Sequence, residues 1–168
     1  MAFKITDRGI GYRPIDDHST TQGHPLGTIV KAVDPTYGEG EFIYLLGVAS
    51  TVVGLIVSYD PSTHATTHVP STANLAKPLA VAMAATVALE YGWYQICGVA
   101  VVKKTAVKVD PASTRRVYIS GTDGRLMQTS AAGKCILGAA SANVATVTST
   151  TSTVLVSLNR PTAQGPIT

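Results

Sequence analysis

Residues 91–102 read Tyr-Gly-Trp-Tyr-Gln-Ile-Cys-Gly-Val-Ala-Val-Val and carry the only tryptophan of the chain. Large apolar residues alternate there with polar or small ones, and the run breaks at Gly98. Alternation with a period of two marks a strand with a buried face, because successive side chains leave a strand on opposite sides. A glycine inside such a run marks a bend, or a place where another backbone passes closely. The alternation sets Tyr91 and Trp93 on one face and Tyr94 on the other.

Similar short segments surround this one. Strand-like runs occupy 27–33, 41–47, 54–59, 64–69, 106–109, 116–120, 126–129, 133–139, 145–150 and 153–158. Breakers separate them: Asp34-Pro35, Asp60-Pro61 and the tetrad Gly121-Thr-Asp-Gly124. The tetrad reads as a hairpin turn, since Asp-Gly tolerates positive φ. About ten short strands at roughly ten-residue spacing predict an all-β fold. We expect a single β-sandwich, jelly-roll or barrel-like domain over 27–158, with at most one short helix. Residues 79–89 are ambiguous. Their alanines favour helix, whereas Pro78 and the alternation of Leu79, Val81 and Met83 favour strand, and we read them as mainly strand.

Residues 1–26 are polar, irregular and rich in Gly and Pro. They read as an extended arm that is ordered only against a surface outside its own domain. Phe3, Ile5, Ile10, Tyr12 and Ile15 are its apolar anchors, spaced for an interface. Residues 159–168, with Pro161, Gly165 and Pro166, read as an irregular tail. Tyr44, Trp93 and Ile96 are expected in the core.

The 168 residues suffice for one ordinary domain. Only 14% are charged, against a usual quarter, yet mean hydropathy is positive. Such a surface is most simply explained if other subunits cover part of it, because obligate interfaces are depleted in charge. The net charge is +3, and the only adjacent basic pairs are Lys103-Lys104 and Arg115-Arg116. Both read as solvated turns rather than the basic stripe of a nucleic-acid binder. The apolar run 79–89 is too short for a membrane-spanning helix. The first residues lack the apolar stretch of a secretory leader, so we expect synthesis in a cytoplasm without a membrane anchor. Cys97 and Cys135 lie in apolar runs and read as small buried thiols, with a disulfide as the alternative.

Reactive groupings are sparse. Asp16-Asp17-His18, or His64 with His68, could offer metal ligands. In a strand, residues four apart lie about 13 Å from one another at ~3.3 Å per residue, too far for one ion. Both groups read as surface loops, and no metal or other cofactor is expected. No phosphate loop, nucleophile elbow or dinucleotide fingerprint appears, so we do not expect an enzyme. Tyr91, Trp93 and Tyr94 could form a sugar-stacking platform, although a core tryptophan at a strand start is the commoner case.

Three stretches carry a resemblance. The first is His24-Pro-Leu-Gly-Thr-Ile-Val-Lys-Ala-Val-Asp-Pro-Thr-Tyr-Gly-Glu-Gly-Glu-Phe-Ile-Tyr44, followed by a Gly-Val step. The second is Val81-Ala-Met83 ahead of residues 91–100, and the third is Gly124-x-Leu-Met followed by Gly133-Lys-Cys-Ile-Leu-Gly138. Over 24–158 the chain resembles small structural proteins of tailed bacteriophages, among them the head decoration, or cement, proteins. The resemblance implies a β-rich fold, a homotrimer, and the major capsid protein as partner, on the outer surface of the virion capsid. It implies attachment where capsomers meet, spreading the outward load of packaged DNA; from the charge pattern and the short apolar run we expect no nucleic-acid or membrane partner. The N-terminal arm has no counterpart in it. The alternative is a glycan-binding adhesin or tail-associated virion module, and the burial of Trp93 discriminates between the two.

Overall fold

The computed structural model describes residues 4–6 and 11–166. Phe3 and Ile10, two of the expected arm anchors, lie outside the described residues. The described chain is all-β without a helix. Its twelve strands are β1 (Lys4–Ile5), β2 (His18–Ser19), β3 (Ile29–Asp34), β4 (Gly38–Leu46), β5 (Ile56–Tyr59), β6 (Thr66–His68), β7 (Leu79–Ala82), β8 (Tyr91–Lys103), β9 (Arg116–Ile119), β10 (Leu126–Met127), β11 (Cys135–Ser141) and β12 (Thr153–Ala163). All pair antiparallel in one network, in the order β1-β3-β4-β8-β12-β11-β9-β10, with β2, β5, β6 and β7 branching from it.

The long β8 organises the fold, pairing with β4, β12, β2 and β7. Its two halves do different things, and Gly98 is the joint. In the first half both faces are buried. Trp93 enters one cluster with Phe42 and Tyr44, while Tyr94 and Ile96 enter another with Ile43 and Leu45. Strict alternation along β4 and β8 therefore feeds two clusters on opposite sides of one sheet layer. The register between these strands skips Ile96, since Glu41 faces Cys97 and Phe42 faces Gln95. That is a bulge, and it increases the local bend. Gln95 bridges the bend from within, its Nε2 donating to the carbonyls of Cys97 (3.0 Å) and Val99 (3.1 Å).

Beyond the bend the wall becomes barrel-like. The path from β8 runs through β12, β11, β9 and β10. Gly124 links that edge to the other branch: the Ile56 N–H donates to its carbonyl (2.8 Å), and its own N–H donates to Val69 (2.9 Å). β5 then pairs with β7, and β7 with β8. The circuit encloses an aliphatic cluster that includes Val81, Ala100, Val117, Ile119, Leu126 and Val156. Closing the circuit satisfies backbone groups that an open edge would expose.

Several expectations need correction. Residues 79–89 form a strand only over β7, and the rest is an irregular loop. The runs 106–109 and 145–150 are not strands, though Val109 and Val147 form an isolated bridge. The tail is not irregular throughout: β12 continues to Ala163, which pairs with Ile136. A bulge accommodates Pro161 there, with Gly138 (φ 71°) and Arg160 (φ 44°) taking left-handed backbone. In the 121–124 turn only Gly124 has positive φ (70°), and the Asp123 carboxylate instead accepts the Ser71 N–H at 3.0 Å.

The arm also differs. Lys4–Ile5 pairs with β3, and His18–Ser19 pairs with β8. Ile15 is 2% exposed inside the aromatic cluster, with Ile5 and Tyr12 half-buried at its border. The described arm is thus ordered against its own domain, and Ile15 is a core residue rather than an outward anchor. The cause is the apolar face of Phe42, Tyr44 and Trp93, which these segments cover. Lys104, expected in a solvated turn, is 1% exposed, and its Nζ donates to the carbonyls of Thr105 (3.2 Å) and Val107 (2.8 Å). Burial lowers its pKa. Cys97 and Cys135 are free and half-buried, so neither the fully buried thiols nor the disulfide describes them.

Candidate functional site

The aromatic residues gather on one face of the β4–β8 layer. Trp93 lies opposite Tyr44 in register, with ring centroids 5.0 Å apart at 60°. Tyr91 stacks on Tyr44 at 6.2 Å. The arm lays two more rings over the tryptophan, His24 at 5.3 Å and Tyr12 at 6.3 Å. Two polar contacts hold the arm down, the Gly23 N–H donating to the Tyr44 hydroxyl (3.2 Å) and His18 meeting Glu90 (3.1 Å), while Arg13 pairs with Asp17 (3.2 Å) within the arm. Trp93 is left 1% exposed. The cluster closes over Trp93, which offers no ring face to a ligand.

His24 is the titratable member of that cluster. Burial, and secondarily the nearby Arg13 cation, hold its pKa below 6.5. The unfolded chain therefore takes up this proton first on acidification. The stabilisation is complete above pH 6.5 and is lost as pH falls through the lowered folded value. We expect the melting temperature to fall on acidification from pH 6.5 more steeply in the natural protein than in His24→Phe. Parallel curves for the two proteins would refute this.

The other residues singled out from sequence do not converge. Asp17 and His18 are engaged in the arm contacts above, and Asp16 is exposed. His68 Nε2 lies 3.1 Å from the Thr51 hydroxyl. The His64 ring packs against Gly27, where a Cβ would overlap it. Among the described residues, no three His, Cys, Asp or Glu side chains are placed to hold a metal. Ile96 and Tyr44 are both buried, on opposite faces of the sheet layer.

A different feature stands out at the surface. The loops 47–55 and 83–90 are tied by two backbone bonds, Thr86 N–H to Thr51 O (3.1 Å) and Gly47 N–H to Glu90 O (2.7 Å), and a third, Gly54 N–H to Ala82 O (2.9 Å), ties the first loop to the end of β7. The Thr51 and Thr86 hydroxyls both donate to the Val48 carbonyl (2.7 and 3.3 Å). From this braced base Val52, Val53, Val87 and Leu89 point into solvent, Leu89 being 70% exposed. Leu89 also has φ 65°, a conformation that costs a side-chain-bearing residue about 1–2 kcal/mol. The Glu90 carboxylate fixes that turn by accepting the Val87 N–H at 2.8 Å. An exposed leucine in a strained turn contributes little to folding, and such departures concentrate at functional surfaces. This site escapes a reading of the sequence alone. The one signal for it was Val52-Val53, apolar but outside any alternating run.

Comparison of the chain with protein-family models, with curated proteins and with solved structures finds no match.

Proposed function

We propose that the chain is a structural virion protein that attaches to the outer surface of a tailed-phage capsid and stabilises the shell, with the major capsid protein and further copies of itself, as a homotrimer, for partners. The observation that carries a docking role is the braced apolar loop pair, with four exposed aliphatic side chains and strain at Leu89. The phage assignment rests on the sequence resemblance over 24–158. On this reading the chain is not an enzyme and uses no cofactor. Attachment that shares mechanical load with a protein shell needs surface area and shape, which apolar loop tips supply without reactive groups. The glycan-binding alternative gains no support. Trp93 is buried, and every described Phe, Tyr and Trp side chain is buried or half-buried.

Leu89→Asn tests the reading, because its two expected effects have opposite signs. Asn tolerates left-handed backbone, so stability should rise by up to about 1 kcal/mol. Burying a leucine contributes about 1.5–3 kcal/mol, so attachment should weaken about ten- to a hundredfold. Co-sedimentation with shells of the phage that encodes the chain measures attachment, and thermal melting measures stability. Failure of the natural protein to co-sediment, or equal attachment by the variant, refutes the proposal.

A further inference from the structure

Three neighbouring strands of the wall carry no charged residue over 97–102 of β8, 153–158 of β12 and the whole of β11. Their inward side chains, among them Ala100, Val102, Val154, Val156 and Ile136, fill the barrel. The outward ones include Val99, Val101, Leu155, Ser157 and Ala140, and Leu137 is 49% exposed. An antiparallel wall facing water ordinarily alternates apolar-in with polar-out. Here the outward face is aliphatic, hydroxyl-bearing or thiol-bearing. A recess of about 290 Å3 beside Tyr37, Val101, Val147 and Leu155 gives it relief.

The register lays one row straight across this face. Val99 lies opposite Ser157, Ser157 opposite Ala140, and Ala140 opposite Arg116. On the far flank β4 brings Glu39, whose carbonyl abuts Gly98. The row thus ends in an exposed glutamate on one side and an exposed arginine on the other. Four strand spacings of ~4.8 Å separate them, about 19 Å. Glu41, the next carboxylate along β4, is paired with Arg160 at 3.0 Å. Neither Glu39 nor Arg116 makes an ion pair among the described residues.

We infer that this face is where a second copy of the chain docks, with Glu39 of one copy set against Arg116 of the other. The uncharged middle costs little to desolvate. Its two end residues, Glu39 and Arg116, are opposite in sign, although Lys31 shares the recess of Glu39 and Glu41. A copy turned by half a revolution about the strand direction, or stepped around a ring, brings acidic rim to basic rim. A partner surface of a single charge sign would be repelled by one rim, so the pattern favours self-association. This face deepens the reading above by giving its self-association a surface. The test uses the isolated protein without shells, so docking between copies and attachment to a shell fail separately.

Sedimentation velocity over a concentration series reads the outcome. The natural protein should associate. Glu39→Arg and Arg116→Glu should each weaken association at least about tenfold, because like charges then face each other. The double variant, with the charges exchanged, should recover it. Val99→Lys should also weaken association by placing a charge in the uncharged middle. Both charge-reversal sites are exposed, so each variant should keep the natural fold, read as an unchanged far-ultraviolet circular dichroism spectrum. A monomer at every concentration overturns the inference. So does association that either single reversal leaves intact, or a double variant as weak as the singles.

Discussion

Trp93→Ala should lower stability by about 3–5 kcal/mol, read as a fall in the denaturant midpoint at an unchanged slope. Trp93 heads the largest fully buried side chains. It sits where two parts of the chain meet, with Tyr44 beneath and Tyr12 and His24 above. Truncation leaves a void between sheet and arm rather than inside the barrel. The surrounding rings are rigid, so the void cannot collapse fully. Among the described residues its Nε1 has no hydrogen-bond partner, so packing sets the cost, and Trp93→Phe should lose far less. The damage should also be local. In Trp93→Ala, residues 11–26 should exchange amide hydrogens and yield to protease before the aliphatic barrel does. A loss below about 1 kcal/mol, or uniform loosening of barrel and arm, would show that the aromatic layer does not hold the arm.

Much of the architecture was legible in the chain because strand periodicity is a local signal. Alternation at 91–97 correctly divided Tyr91 and Trp93 from Tyr94, and Gly98 was readable as a point of close approach. What escaped depends on distant partners. Residues 159–163 look irregular alone, since Arg160-Pro161 would interrupt an ordinary ladder, but Gly138 on β11 supplies the matching bulge. Residues 11–26 lack a period because they follow the contour of an aromatic face formed by β4 and β8. Lys104 resembled its half-buried neighbour Lys103 in sequence. Only the carbonyls of Thr105 and Val107, folded back over it, account for its burial. The exposed loop tips were hidden for a related reason: Val87 and Leu89 extend the apolar run of β7, and composition alone does not mark where the strand stops. The uncharged outer face depends on register, which a sequence without pairing information does not specify.

Gly98→Ala should be the costliest single methyl group in the chain's central strand. Gly98 has φ 94°, where a side chain adds about 1–2 kcal/mol of backbone strain. Its Cβ would fall well inside contact with the Glu39 carbonyl oxygen and 3.0 Å from the Gly40 Cα. Both are backbone atoms of a paired strand and cannot swing aside as a side-chain tip could. Overpacking of that kind adds about 1–3 kcal/mol, for a total of roughly 2–5 kcal/mol. Relief would require β4 and β8 to separate at the bend. That movement would strain the two hydrogen bonds from Gln95 across the bend and shift Glu39 relative to Val99. Gly121→Ala is the matched control, since Gly121 has no positive φ and a methyl group there would meet nothing within 4 Å. It should change stability by no more than about 0.5 kcal/mol. Chemical denaturation of the two variants side by side decides the matter. If Gly98→Ala falls within about 1 kcal/mol of Gly121→Ala, strand β8 tolerates a side chain at its bend. The close approach of β4 would then not be what requires glycine there.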